Sequence, residues 1–294
     1  MKKNKSNLNS NSGHKEESHA RIHHGVKKSL GQHFLKARGI VRKIVSAGEI
    51  KKGEMVLEIG PGKGILTKAL ISAGAEVIAV EKDKSLFSLL KEKFADEVKN
   101  GQLTLLNADV LDFDFKCYKL HVTSYKLVAN IPYYITGEIL RKFIGGKAKP
   151  SRAVLLVQKE VAERIVARPK PLDSALGKES ILSISVKIYG SPKYLGKVPA
   201  KSFSPAPKVD SAFLLIENIS SPFNREVEEK KFFKAVKKGF SHKRKMLLGN
   251  LKTEFAEKSL GEAFQTCGLD KKIRAENLTL ENWKCLCSKL EVES

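Results

Sequence analysis

The chain has 294 residues, 41% of them hydrophobic, enough for one large core and a smaller second one. No stretch approaches the roughly 20 consecutive apolar residues that cross a bilayer, and the opening residues lack the apolar run of a secretory signal. Four cysteines make no disulfide framework in a chain this long, so a reducing cytosol is the expected compartment, and Lys plus Arg (54) against Asp plus Glu (32) leave a net charge of +22 that favours nucleic acid over membrane as partner.

Residues 1–25 are rich in Asn, Ser, Lys and His, with almost nothing to bury, and read as a disordered tail. His14, His19, His23 and His24 there read as solvated rather than metal-binding, and Glu16 and Glu17 argue against a mitochondrial transit peptide. From Ile40 helix and strand alternate. Ile40–Ala47 carries the helical apolar spacing; Met55–Ile59 is a strand leading through glycines into an amphipathic helix that ends at Ile71. Glu76–Val80 (strand), Ser85–Phe94 (helix), Leu103–Leu106 and Leu127–Ala129 (strands) follow, then Gly137–Phe143 (helix), Ala153–Val157 (strand) and Gln158–Val166 (helix). Such alternation predicts an α/β fold whose parallel sheet is covered on both faces. Ile181–Ile188, Tyr194–Val198 and Ala212–Glu217 read as strands that close the sheet.

Beyond Pro222 only helices are expected, over Arg225–Phe240, Arg244–Leu251, Leu260–Cys267 and Leu280–Leu290, the last capped by Thr279. The expected division is a tail over 1–25, an α/β domain over 26–220 and a small all-helical domain over 221–294. Between Lys231 and Thr253 there are eight basic residues and no acid, interleaved with Phe232, Phe233, Phe240, Met246, Leu247 and Leu248. Apolar anchors among the charges predict a docked basic surface rather than a free tail. Cys285 and Cys287 read as helix packing, and no metal site is expected.

The chemistry begins at Glu58-Ile59-Gly60-Pro61-Gly62-Lys63-Gly64, where a strand enters three glycines and a helix follows. Glycines let a backbone turn sharply and approach a ligand without a Cβ in the way. The third glycine arrives one residue earlier than in the dinucleotide pattern, and Glu58 stands just before the turn, which suits a cationic nucleoside better than a pyrophosphate. Glu81 closes the next strand, about 20 residues on, where an acid accepts both ribose hydroxyls. Asp109 ends the third strand, placed to accept from an adenine amino group. Each alone is more often a surface carboxylate or cap; three at successive strand ends favour an adenosine-containing ligand.

Asn130-Ile131-Pro132-Tyr133 ends the fourth strand. The Asn130 side-chain oxygen and the Ile131 carbonyl are two acceptors able to hold an adenine exocyclic amine and stabilise charge developing on its nitrogen. Pro132 fixes the turn, and Tyr133 stacks on the base.

Together with Leu30-Gly31-Gln32-His33-Phe34-Leu35 and Phe203-Ser204-Pro205-Ala206-Pro207-Lys208-Val209-Asp210-Ser211, these motifs resemble the rRNA adenine N6-dimethyltransferases, above all the enzymes of the small ribosomal subunit. The resemblance runs from Lys27 to Leu290. It implies a Rossmann-like class I methyltransferase sheet, a small helical C-terminal domain and S-adenosylmethionine as methyl donor. It places the donor on His33, Leu35, Gly60, Gly62, Glu81, Asp109 and Asn130, and the target base between Tyr133 and Phe203. It sets Lys243, Arg244 and Lys245, at the start of a helix, against RNA. The expected partner is small-subunit rRNA in a partly assembled particle, met by a monomer in the cytoplasm. There are three alternatives: a large-subunit rRNA methyltransferase of the antibiotic-resistance type, a non-catalytic ribosome-assembly or mitochondrial transcription factor on the same fold, and a DNA adenine methyltransferase, which the Phe203 and C-terminal segments fit poorly. Phe240–Lys245 and Arg274–Leu278 favour the small-subunit enzyme, and the intact Asn130 motif favours catalysis.

Overall fold

A computed structural model of the chain describes residues 32–116, 124–167 and 178–290. The tail reading, together with Leu30 and Gly31, lies outside the described residues. Five strands are parallel neighbours: β2 (Met55–Ile59), β3 (Glu76–Glu81), β4 (Leu103–Asn107), β5 (Lys126–Asn130) and β6 (Arg152–Gln158). With β7 (Ser191–Val198) and β9 (Ser211–Glu217) they form a sheet of order β4-β3-β2-β5-β6-β9-β7, in which β9 runs antiparallel to both neighbours. The chain moves outward from β2 through β3 to β4, then returns to add β5 on the other side of β2. That reversal opens a crevice at the carboxyl ends of β2 and β5.

The period-two pattern of the strands divides the core. Leu57, Ile59, Ile78, Val80, Leu127, Ala129, Leu155 and Leu214 point into one apolar cluster; Val56, Val77, Ala79, Val128, Val154, Leu156 and Leu215 point into the other. The second cluster is covered by α1 (Arg38–Gly48), α2 (Ile65–Ser72) and α3 (Lys84–Lys93), through Val41, Ile44, Leu66, Leu70 and Leu90. Beyond α3 lies the short α4 (Ala95–Lys99), which the sequence reading did not separate. The first cluster runs without a break into α8 (Glu226–Gly239), α9 (Leu247–Leu251), α10 (Glu257–Thr266) and α11 (Leu280–Lys289), with Phe232, Leu251, Phe264 and Trp283 among its members. Trp283 is fully buried and stacks on Phe240 at 5.8 Å.

Four expectations need correction. Ile181–Ile188 is a helix, α7 (Ile181–Lys187), not a strand. Its apolar and polar residues alternate as in a strand, but Ser180 caps it. Ser183 N–H donates to Ser180 Oγ at 3.1 Å, and Ser180 N–H donates to Ser183 Oγ at 2.7 Å. The helix expected over Gly137–Phe143 is split: α5 (Thr136–Ile139) gives way to a π turn over Leu140–Ile144, closed by Gly145 N–H on the Leu140 carbonyl at 3.3 Å. The helix expected from Arg244 begins only at Leu247, so Lys243, Arg244 and Lys245 occupy an exposed turn. Cys285 is not simple packing: it is bonded to Cys267, tying α11 to the end of α10, while Cys287 is free and buried. Between β7 and β9 lies β8 (Phe203–Ser204), which pairs antiparallel with β1 (Phe34–Leu35). α6 (Lys159–Val166) follows β6 as expected.

Candidate active site

A cavity of about 370 Å³ sits in the crevice at the carboxyl ends of β2 to β5, within the size range of small-molecule sites. Gly60 and Gly62 come to its wall from the turn after β2, Glu81 from the end of β3, Asp109 from beyond β4, and Asn130, Ile131, Pro132 and Tyr133 from β5 and the turn after it. Gln32, His33 and Phe34 cover it. The cover is held by the β1–β8 ribbon, in which Leu35 pairs with Phe203, and by His33 Nδ1–H donating to the Pro205 carbonyl at 2.8 Å.

The glycine turn owes its shape to backbone that L side chains avoid. Gly62 has φ of +59°, and a Cβ there would lie 3.0 Å from Phe34 Cδ1, so any larger residue strains the turn and pushes on the cover. Gly62 N–H donates to Glu81 Oε2 at 3.1 Å and Asp83 N–H to Oε1 at 2.9 Å. Each oxygen of that carboxylate keeps a lone pair for a further donor, the geometry a vicinal diol needs. Burial raises the Glu81 carboxyl above its ordinary value, and its backbone donors hold it down. Asp109 uses Oδ1 to accept from Leu111 N–H at 2.9 Å, and its Oδ2 lies 2.7 Å from Lys82 Nζ. The Lys82 ammonium holds the Asp109 carboxyl below the usual carboxylate range.

Asn130 Nδ2–H donates to the His33 carbonyl at 2.9 Å. That bond orients the amide and leaves Oδ1 as its acceptor end. Ile131 N–H donates to the Leu156 carbonyl at 3.2 Å, fixing the turn to β6. Tyr133 shares a hydrogen bond with Ser211 Oγ at 2.7 Å, and its ring lies 6.1 Å from the His33 imidazole at 27°.

Not every expected residue reaches the cavity. Phe203 is 2% exposed, belongs to the apolar cluster of Leu35, Val41 and Ile44, and is not on the cavity wall that Tyr133 lines. A full phenyl ring gains more from that apolar core than from the cavity rim. The aromatic that faces Tyr133 is His33. Leu35 lies behind Phe34 and lines a smaller adjoining cavity with Glu58, Gly60, Gly62 and Asn130. Glu58 is 1% exposed, and its Oε2 has no hydrogen-bond partner; burial pushes its carboxyl up to about 8. It supports the turn from behind and does not face the main cavity. Lys243, Arg244 and Lys245 are exposed, no acid reaches them among the described residues, and they are not on the cavity wall. Lys234 and Lys238, by contrast, pair with Glu254, and Lys252 with Glu257. The sequence reading missed Lys82, Tyr134 and Glu138, which line the cavity one or a few residues beyond the motifs it used. Among the described residues no group of three or more His, Cys, Asp or Glu is arranged to hold a metal.

The sequence pattern of the family described as ribosomal RNA adenine dimethylase matches residues 23–291. The chain belongs to that family. It is therefore an rRNA adenine dimethyltransferase. A relative from Dehalococcoides mccartyi, named ribosomal RNA small subunit methyltransferase A, is 38% identical over 264 residues, 89% of this chain and 87% of its own length. The crystal structure of a dimethyladenosine transferase from Plasmodium falciparum superposes with a TM-score of 0.72 at 28% identity, covering 86% of this chain and 96% of the other. That of a 23S rRNA methyltransferase shares the fold, with a TM-score of 0.68 at 24% identity over 87% of this chain and 99% of the other.

Proposed function

We propose that the protein dimethylates the N6 amino groups of two adjacent adenines near the 3′ end of small-subunit rRNA, with S-adenosylmethionine as donor. One observation carries the reading: a single cavity joins Gly60, Glu81 and Asp109 to Asn130-Ile131-Pro132-Tyr133. The named relative at 38% identity supports the small subunit as target.

The donor supplies an electrophilic methyl group. Glu81 holds its ribose hydroxyls through the spare lone pairs of a carboxylate already fixed by two backbone donors. Asp109 accepts from its adenine amino group, and the glycine turn lets backbone approach without steric cost. His33 and Phe34 close over the site and exclude water. Tyr133 presents its ring to the flipped target base, the His33–Tyr133 contact opening to admit it. Asn130 Oδ1 accepts an N–H of the target amine, with the Ile131 carbonyl as the second acceptor. Their negative ends stabilise positive charge growing on the nitrogen as it bonds to the methyl carbon, while the methyl–sulfur bond breaks and its electron pair leaves with the sulfur of S-adenosylhomocysteine. That nitrogen, once cationic, is acidic enough to lose its proton to water, so no strong base is required.

The segment from 221 onward is the RNA-binding part in this reading, with Lys243, Arg244 and Lys245 neutralising phosphates while RNA shape provides selection. The protein acts as a cytoplasmic monomer on a partly assembled particle. Labelled S-adenosylmethionine, incubated with undermethylated small and large subunits and followed by nucleoside analysis, tests this. N6,N6-dimethyladenosine confined to small-subunit RNA is expected. Label in large-subunit RNA overturns the target, and equal rates on protein-free rRNA and on particles overturn the preference for the particle.

A further inference from the structure

The cavity has a charged rim. Lys82 leaves β3 directly after Glu81, lines the cavity, and keeps its side chain 57% exposed. Its Nζ lies 2.7 Å from Asp109 Oδ2, while Asp109 Oδ1 is committed to Leu111 N–H at 2.9 Å. The ammonium thus sits on the one Asp109 oxygen not used by the backbone. Nearby, Lys142 Nζ–H donates to the Leu111 carbonyl at 2.7 Å, and Tyr134, 60% exposed, completes this part of the wall.

We propose that Lys82 couples the two substrates: it occupies Asp109 Oδ2 while the nucleoside end is empty, and an adenine amino group taking that oxygen releases it to the RNA backbone at the mouth. The inference rests on the reading of Asp109 as the donor-adenine acceptor. Oδ2 has a second lone pair, but Lys82 and the amino group both come to it from the cavity side, so the ammonium and amino hydrogens crowd and repel one another there and the two donors compete. Lys82 is exposed, so it gives up an ion pair of modest strength rather than a buried one. Its charge then faces the opening through which a base and its flanking phosphates must pass, beside Lys142. Binding of donor and RNA becomes mutually favourable, and by linkage each raises the affinity of the other by one factor.

Lys82→Met and Lys82→Arg, compared with wild type at low salt, test the coupling. S-adenosylhomocysteine is titrated into each, with and without undermethylated small-subunit rRNA. Without RNA, Lys82→Met binds this nucleoside about two- to fivefold tighter than wild type, the size of an exposed ion pair. Lys82→Arg, which restores the pair, matches wild type. RNA tightens nucleoside binding in wild type and in Lys82→Arg but not in Lys82→Met. Equal or weaker nucleoside binding by Lys82→Met, or undiminished coupling in it, overturns the proposal. Asp109→Ala separates the two layers. If it binds S-adenosylhomocysteine like wild type, the reading of Asp109 falls and the latch with it. If it binds weakly while Lys82→Met is unchanged from wild type, only the latch falls.

Discussion

Asn130, which the proposed function sets between donor and base, has one end of its amide tied to the His33 carbonyl and the other left to accept. Asn130→Ala removes both, so single-turnover methyl transfer falls about 10²- to 10³-fold, the scale of a lost transition-state hydrogen bond, and donor binding weakens as the His33 cover loosens. Turnover near the wild-type rate in that variant would refute the mechanism. Glu58 makes a different prediction. Its folded-state carboxyl is raised to about 8 by burial, so the native protein holds a proton that the unfolded chain releases. The stability from this proton is fully present below the unfolded value, near 4.5, and is lost as pH rises through about 8. Between those limits the group contributes a fall of about 1.4 kcal/mol per pH unit. Denaturant midpoints at pH 5.5 and 7.5 should therefore converge in Glu58→Gln; an unchanged pH dependence would show that Glu58 is ionised in the fold. The reading of Glu58 as a ligand-facing acid took its place before the turn as exposure. Only its neighbours in three dimensions show that Gly60 faces the main cavity and Glu58 does not.

Elements were legible where one physical signal dominated. Met55–Ile59 is an apolar run stopped by glycines, and both strand ends were read directly from it. Ile181–Ile188 carries two signals that disagree: its alternation and β-branched residues indicate a strand, while Ser180 and Ser183 form a capping box. The helix forms because the cap satisfies backbone donors, and Ile184 and Ile188, four residues apart, are buried on one face. Ser180→Ala should cost about 1 kcal/mol and lower the thermal midpoint by roughly 2–4 °C, measured by circular dichroism. No change would mean that packing alone selects the helix. The β1–β8 ribbon could not be read at all. Each strand has two residues, and their register, Phe34 opposite Ser204, joins positions far apart in the chain with no local pattern. The burial of Phe203 was not legible for the same reason: its partner Leu35 is invisible in its own neighbourhood.

For the whole molecule, charge was legible in amount but not in use. Several lysines of the basic segment are partnered by Glu254 and Glu257, which lie just beyond it. Of the others, Lys243, Arg244 and Lys245 share one exposed turn, and the proposed function sets these three against RNA. Replacing all three by alanine should weaken RNA binding at low salt and reduce the slope of log affinity against log salt by about 2 to 3, the number of released counterions. An unchanged slope would move the RNA contact elsewhere on the surface.

The apolar cluster that runs from the sheet to Trp283 sets a limit on how such a protein can change its target. Phe232, Leu251, Phe264 and Trp283 belong to the same continuous apolar cluster as Ile184, Leu214 and Ile216, so the helices are not an appendage hung on a finished enzyme. A graft that exchanged the chain beyond Ser221 for that of a relative would have to bring matching side chains on the sheet as well. If the turn at Lys243–Lys245 meets RNA as proposed, a new target is more easily reached by rewriting such exposed turns, which leave what lies beneath undisturbed.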